Sequence, residues 1–230
     1  MTAQALDSGL TLALDASTYE GSVAVVRGGE VLAERAVAMR GEREERLMPA
    51  VAAALAEAGV SARDLARVVC GAGPGSFTSL RIAASIAKGI AEGTGAPLYA
   101  VPSLLLVVAG ATPPLVAGRY VAALDAMRGE WFASPMEADG SGRVARWSAA
   151  ALTSAAALDE LARRERARVV GPRHGGDHPH PPHARGVARL LDVAGAITPA
   201  DLTAWEPDYG RLAEAQVKWE SAHGRALPRT

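Results

Sequence analysis

Leu10 to Ala16 alternates large and small apolar residues, Ser22 to Val26 is apolar and β-branched, and Val31 to Ala38 follows the turn Arg27-Gly28-Gly29-Glu30. This pattern predicts three successive strands, with a Gly-Gly hairpin turn between the second and third. From Glu44 to Ala58 the spacing becomes helical, with Leu47, Val51, Ala54, Leu55 and Ala58 on one stripe and Gly59 closing it. A short buried strand is predicted over Leu65 to Ala72. After the turn Gly73-Pro74-Gly75 a second helix is predicted over Phe77 to Glu92, closed by Gly93, with Ile82, Ile86 and Ile90 as its core stripe. Strands near Leu98 to Val101 and Tyr120 to Leu124 bracket one more apolar helix near Ser103 to Ala109. A hairpin followed by a βαβα order predicts a mixed sheet with helices on its faces.

The segments LALDASTYEGSVAVV (12–26) and AALDAMRGEWFASPM (122–136) share a strand ending in Ala-Leu-Asp-Ala, a polar turn and a second apolar run. They imply a duplicated unit, each half opening with a strand whose C-terminal end carries an aspartate, Asp15 or Asp125. The expected division is residues 1–110 and 111–230. Residues 137–200 are less regular: Leu158 to Arg168 reads as a charged surface helix and Val169-Val170 as a short strand. The stretch 171–183 is a Gly/His/Pro-rich loop expected to be the most mobile. The tail from Pro207 to Ser221 holds a helical stretch with Leu212, Ala215 and Trp219 on one face.

At 230 residues, 49% hydrophobic and 21% charged, the chain can bury a core without disulfides or a structural metal. Its 24 basic and 25 acidic residues give a net charge of -1, so no basic field points to nucleic acid. The single cysteine, Cys70, lies in an apolar run and reads as a buried thiol. The N-terminus lacks the features of a secretory signal, and the apolar stretch Leu104 to Ala117 is broken by Pro113 and Pro114. A soluble cytoplasmic protein, with no membrane partner, is expected.

Four constellations invite chemistry. In Gly71-Ala72-Gly73-Pro74-Gly75-Ser76-Phe77-Thr78 a strand runs through a glycine loop into a helix N-terminus. The loop is either a tight turn capped by Ser76 or Thr78, or an anion cradle with Asp15, Gly73, Gly75, Ser76 and Thr78 as phosphate-loop residues. It is neither a Walker loop, lacking the lysine, nor a dinucleotide fingerprint. Asp15 and Asp125 could hold magnesium in a shared cleft, as an actin-like phosphotransferase or ATPase requires. Alternatively, each accepts hydrogen bonds from the turn that follows it. His174, Asp177, His178, His180 and His183 crowd together, but Gly175-Gly176 and nearby prolines forbid the helix an HxxxH metal site needs, so no metal site is expected. Finally, both N-terminal helices carry a second face of small apolar residues: Met48, Ala52, Ala53 and Ala56 on one, and Leu80, Ala83, Ala84, Ala87 and Ala91 on the other. Alanine's helix propensity explains such faces, and so does a flat patch reserved for another helix pair.

These residues resemble the TsaB (YeaZ) family of tRNA threonylcarbamoyladenosine biosynthesis. GPGSFTSLRI (73–82) is similar to the family's GPGSFTGLRIG, and LALDASTYEGSVAV, ALDAMRGEWF and EPDYGR stand in the family's order. The resemblance implies the actin-like ATPase fold (the ASKHA, RNase H-like group), an α/β architecture of two related subdomains of mixed sheet flanked by helices. It implies a non-catalytic subunit that binds its catalytic paralogue TsaD through the two N-terminal-half helices and forms a homodimer through the same surface. The TsaE ATPase joins that complex, and tRNA is met only through it. No cofactor is implied for this chain itself, and ATP or ADP with magnesium enters only at the complex. The paralogue's HxxxH has no counterpart between Pro102 and Gly110, which argues against older peptidase labels. Ser79 stands in place of a family glycine, Arg43 where many members have histidine, and Met127-Arg128 departs from the usual Arg-x-Gly order.

Overall fold

The computed structural model describes residues 9–41, 44–172 and 179–210. The first half opens with β1 (Leu10–Asp15), β2 (Glu20–Arg27) and β3 (Glu30–Ala38), then α1 (Leu47–Glu57), β4 (Arg67–Gly71), α2 (Phe77–Thr94), β5 (Leu98–Val101) and α3 (Ser103–Ala109). The second half has β6 (Gly118–Asp125), β7 (Glu130–Ala138), β8 (Val144–Trp147), β9 (Ala151–Ser154), α4 (Ala155–Glu165), β10 (Arg168–Val170), a 3-10 helix at Ala184–Arg189 and β11 (Thr198–Pro199). The first sheet runs β11-β5-β4-β1-β2-β3, with β1, β4 and β5 parallel and β2 and β3 antiparallel neighbours. The second runs β10-β6-β7-β8, with β9 also pairing β7. Thr198–Pro199 belongs to the later part of the chain yet extends the first sheet, so the chain returns to its first half.

The strands alternate as a period of two requires. Leu10, Leu12 and Leu14 face the outer core under α1 and α2, while Ala13 faces inward. In β6, Tyr120, Ala122 and Leu124 face inward, and Val121 and Ala123 face α4. Between the sheets lies α3, every residue of it buried. The layers are therefore α1 and α2, first sheet, α3 with the 3-10 helix, second sheet, α4. The duplication is structural: β1-β2-β3-α1-β4 is matched by β6-β7-β8/β9-α4-β10, and β4 and β10 both open with Arg-Val-Val and lie parallel to the first strand of their half.

Helix ends follow local chemistry. The Glu45 carboxylate accepts from the Leu47 and Met48 amides at the start of α1, and Gly59, with φ +67°, closes it as Val60 N–H bonds back to Leu55. The predicted stop at Gly93 is corrected: α2 continues to Thr94 and closes on Gly95, which takes the left-handed conformation. The strands β8 and β9 went unread because neither carries an alternating apolar pattern. His174, Asp177 and His178, most of the loop expected to be mobile, Arg43, and the tail helix with Leu212, Ala215 and Trp219 lie outside the described residues.

His183 caps the 3-10 helix. Its Nδ1 accepts from Arg185 N–H at 3.2 Å, its own N–H donates to Leu106, and its side chain is buried. Burial, helped by the Arg185 charge, lowers its pKa to about 4. The unfolded chain protonates this imidazole near its ordinary value while the folded chain resists. The contribution is thus complete above about pH 6.5 and is lost as pH falls toward about 4, a difference of about 3 kcal/mol. Urea melts at pH 7.5 and 4.5 should show this loss, and His183→Asn should remove about one proton's worth of that slope. An unchanged slope in the variant would refute the assignment.

Candidate functional site

The glycine loop leaves β4 beside the end of β1 and enters α2. Several of its backbone groups are partnered within the chain. Ala72 N–H donates to Val101 O at 2.8 Å, Gly73 N–H to Ser103 Oγ at 3.1 Å, and Ser76 N–H to Ser17 O at 2.8 Å. Ser103 N–H donates back to Gly73 O at 2.9 Å, and Asp208 N–H donates to Ala72 O at 2.7 Å. The glycines exist for these approaches. A Cβ on Gly71 would overlap the Asp15 carboxylate, one on Gly73 the Asp208 carbonyl, and one on Gly75 the Ser17 carbonyl. Of the two readings of the loop, these contacts favour a turn packed against its own chain over an open anion cradle.

Asp15 is fully buried at the end of β1. Oδ1 accepts from Ser17 N–H at 3.0 Å and Ser17 Oγ at 2.8 Å, and Oδ2 from Ser103 Oγ at 2.5 Å. Burial pushes its carboxyl above the usual carboxylate range, and the bonds from Ser103 and Ser17 oppose that. Through Ser103, which faces both Asp15 and Gly73, the carboxylate sets the loop's position. In the second half Asp125 Oδ1 accepts from Met127 N–H at 2.7 Å, the same two-residue turn that Asp15 makes with Ser17. Both aspartates thus organise the turn after their strand. Tyr19 and Met127, one from each turn, meet at 3.6 Å. Among the described residues no group of three or more His, Cys, Asp or Glu is arranged to hold a metal. Cys70 is buried behind Asp15, and burial pushes its thiol up.

Ser76 occupies the N-cap position of α2, but its hydroxyl lies 3.0 Å from Ser79 Oγ rather than on a backbone amide, and Thr78 is exposed. This pair explains how a buried serine is tolerated at position 79.

On the outer layer α1 exposes Met48, Ala52, Ala53 and Ala56 while burying Leu47, Ala50, Val51, Ala54 and Leu55. The expectation for α2 is corrected. Leu80, Ala83, Ala84, Ala87 and Ala91 are buried, Ala83, Ala87 and Ala91 of them against the sheet, whereas Ile82, Ile86 and Ile90 are half-buried on the flank and Ser85 and Gly89 are exposed. The physical reason is backbone distance: alanines let α2 lie close over β1 and β4, and the bulkier isoleucines fit only at the side. Since α1 and α2 touch, the outer surface combines α1's small residues with Ile82, Ser85, Ile86 and Gly89. Residues missed from sequence are Ser17 and Ser103, whose polar type in otherwise apolar surroundings was the available signal, and Asp208 and Tyr209, within the quoted EPDYGR.

Two related mixed sheets about a central helix, with a hairpin turn of each half meeting the other, define an actin-like (ASKHA) fold. A profile of the family described as "TsaD: tRNA N6-adenosine threonylcarbamoyltransferase" matches residues 36–168, more than half of the chain. The tRNA threonylcarbamoyladenosine biosynthesis protein TsaB of Escherichia coli is 37% identical over 131 residues, 57% of this chain and 56% of that protein. Its Bacillus subtilis counterpart is 37% identical over 93 residues, 40% and 41% of the two chains. The matched stretches thus span about half the length of these curated relatives, or less. The solved structure of YeaZ from Pseudomonas aeruginosa superposes with a TM-score of 0.69 at 27% identity, over 87% of this chain and 99% of that one. The chain belongs to the TsaB (YeaZ) family. Among the described residues no helix is long and apolar enough to cross a membrane.

Proposed function

We propose that the chain is a non-catalytic scaffold subunit in synthesis of threonylcarbamoyladenosine beside the anticodon of ANN-decoding tRNAs, and that it binds the catalytic TsaD paralogue through the outer faces of α1 and α2. The same surface serves a homodimer when the paralogue is absent, TsaE joins the assembled complex, and tRNA is met only there. The observation that carries this reading is the outer surface itself. From Leu47 to Ala56 α1 has no charged side chain, though Met48, Ala52, Ala53 and Ala56 face solvent, and α2 adds Ile82, Ser85, Ile86 and Gly89 beside them. A helix destined for water carries charges on such a face; a helix destined for another helix carries small apolar residues. The family membership supports the reading, as does a glycine loop whose partners lie within the chain.

Titration of the purified chain with its TsaD paralogue should give a stoichiometric complex, and titration with Mg-ATP alone should give no heat. An actin-like phosphotransferase using Asp15 and Asp125 predicts the reverse: Mg-ATP heat that disappears in Asp15→Ala. That result, or absence of a complex with the paralogue, would reject the scaffold assignment.

A further inference from the structure

The stretch Glu206–Gly210 runs as a strap between the two halves. Pro207 is buried, Asp208 N–H bonds Ala72 O at 2.7 Å, and the Asp208 carbonyl lies where a Cβ of Gly73 would be. Gly210 N–H turns back to Asp208 Oδ1 at 2.7 Å. Gly210 has φ +68° and no room for a side chain, because Phe132 of β7 and Pro74 press on it. The strap therefore touches the glycine loop of the first half and the second sheet at once. Tyr209 completes it: its ring lies 4.5 Å from that of Phe77, the first residue of α2, tilted by 50°, with the Arg81 guanidinium 5.4 Å from the Phe77 ring centre.

The start of α2 needs such help. No side chain caps its first amides, its first turn has no acidic residue, and the preceding loop contains Gly71, Gly73 and Gly75. Glycines have the greatest backbone freedom to lose, and an uncapped helix start lacks about 1 kcal/mol of local support. The order of this helix start comes from tertiary contacts, and the strap supplies those on its exposed side. Phe77 remains 41% exposed even with Tyr209 on it.

We propose that the strap is a clamp on the N-terminus of α2 and that Tyr209 is a positioning residue for the partner-facing surface, setting affinity without touching the partner. This rests on the scaffold reading for its consequence, though not for its structural half. When the clamp opens, the first turn of α2 loosens, and binding must restore it. Apparent affinity falls by the fraction of molecules so loosened.

The test compares Tyr209→Ala and Tyr209→Phe with the wild-type chain by amide hydrogen exchange and by titration with the TsaD paralogue. Tyr209→Ala is expected to speed exchange at 76–81 about tenfold and weaken binding about tenfold, leaving protection in β1 unchanged. Tyr209→Phe should restore both, because ring packing does not need the hydroxyl. Unchanged exchange at 76–81 in Tyr209→Ala would overturn the clamp, as would loss of protection throughout β1, which would make the strap a general stabiliser. Equal weakening by Tyr209→Phe would place the hydroxyl on the partner and overturn the positioning role, as would unchanged affinity despite faster exchange. A wild-type chain that does not bind the paralogue defeats the scaffold reading instead, and the exchange comparison still decides the clamp.

Discussion

Gly73→Ala is expected to destabilise the isolated chain by about 2–5 kcal/mol, measured by urea unfolding at neutral pH. Two costs combine. Gly73 has φ +86°, where a side chain costs about 1–2 kcal/mol, and its Cβ would overlap the Asp208 backbone carbonyl, an overpacking cost of about 1–3 kcal/mol. Gly89→Ala is the control, because nothing lies within 4 Å of a Cβ there and alanine is the better helix former, so it should stabilise by about 0.5–1 kcal/mol. The comparison bears on function. A glycine kept for a phosphate could be replaced with little effect on the unliganded fold and a large effect on ligand binding. A glycine kept for Asp208 shows its cost with no ligand present. Equal stability of Gly73→Ala and wild type would mean that the strap does not sit on the loop.

The first half was legible because its burial is periodic. Leu10, Leu12 and Leu14 against Ala13 mark a strand between two layers, and the Gly28-Gly29 turn joins β2 to β3 as expected. The second half was legible where its sequence repeats the first and where Leu158 to Val170 reads as a charged surface helix and a short strand, found as α4 and β10. Asp125 was found through Asp15, but β9, with the pattern Ala-Leu-Thr-Ser and no buried residue, has no period to read. The outer faces divide in the same way. On α1 the predicted stripe of Leu47, Val51, Ala54 and Leu55 is the buried one, so spacing predicted orientation. On α2 it did not, because the sheet beneath admits the alanines and sets Ile82, Ile86 and Ile90 to the side. The polar network was the least legible part. Ser103 is 88 residues from Asp15, and nothing in either segment announces that one hydroxyl will join that carboxylate to the Gly73 amide.

Ala52→Arg is expected to leave the fold intact and to weaken the complex with the TsaD paralogue by more than about a hundredfold. Ala52 lies mid-way along α1 and is exposed, so an arginine there disturbs no internal contact. An interface of standard size buries ~1,600 Å² in total, and an unpaired guanidinium near its centre costs several kcal/mol, each 1.4 kcal/mol being about tenfold in affinity. Ala84→Arg is the contrasting variant. Although an alanine on the neighbouring helix, Ala84 is only 6% exposed, so arginine there should prevent stable folding, visible as lost cooperative unfolding. Ser85→Arg, one residue on and exposed, should behave like Ala52→Arg. Calorimetry with the paralogue and a thermal melt of each variant separate the outcomes. If Ala52→Arg and Ser85→Arg both fold and both bind as wild type does, the α1 and α2 faces are not the docking surface, and the lack of charge on α1 from Leu47 to Ala56 reflects alanine's helix propensity alone.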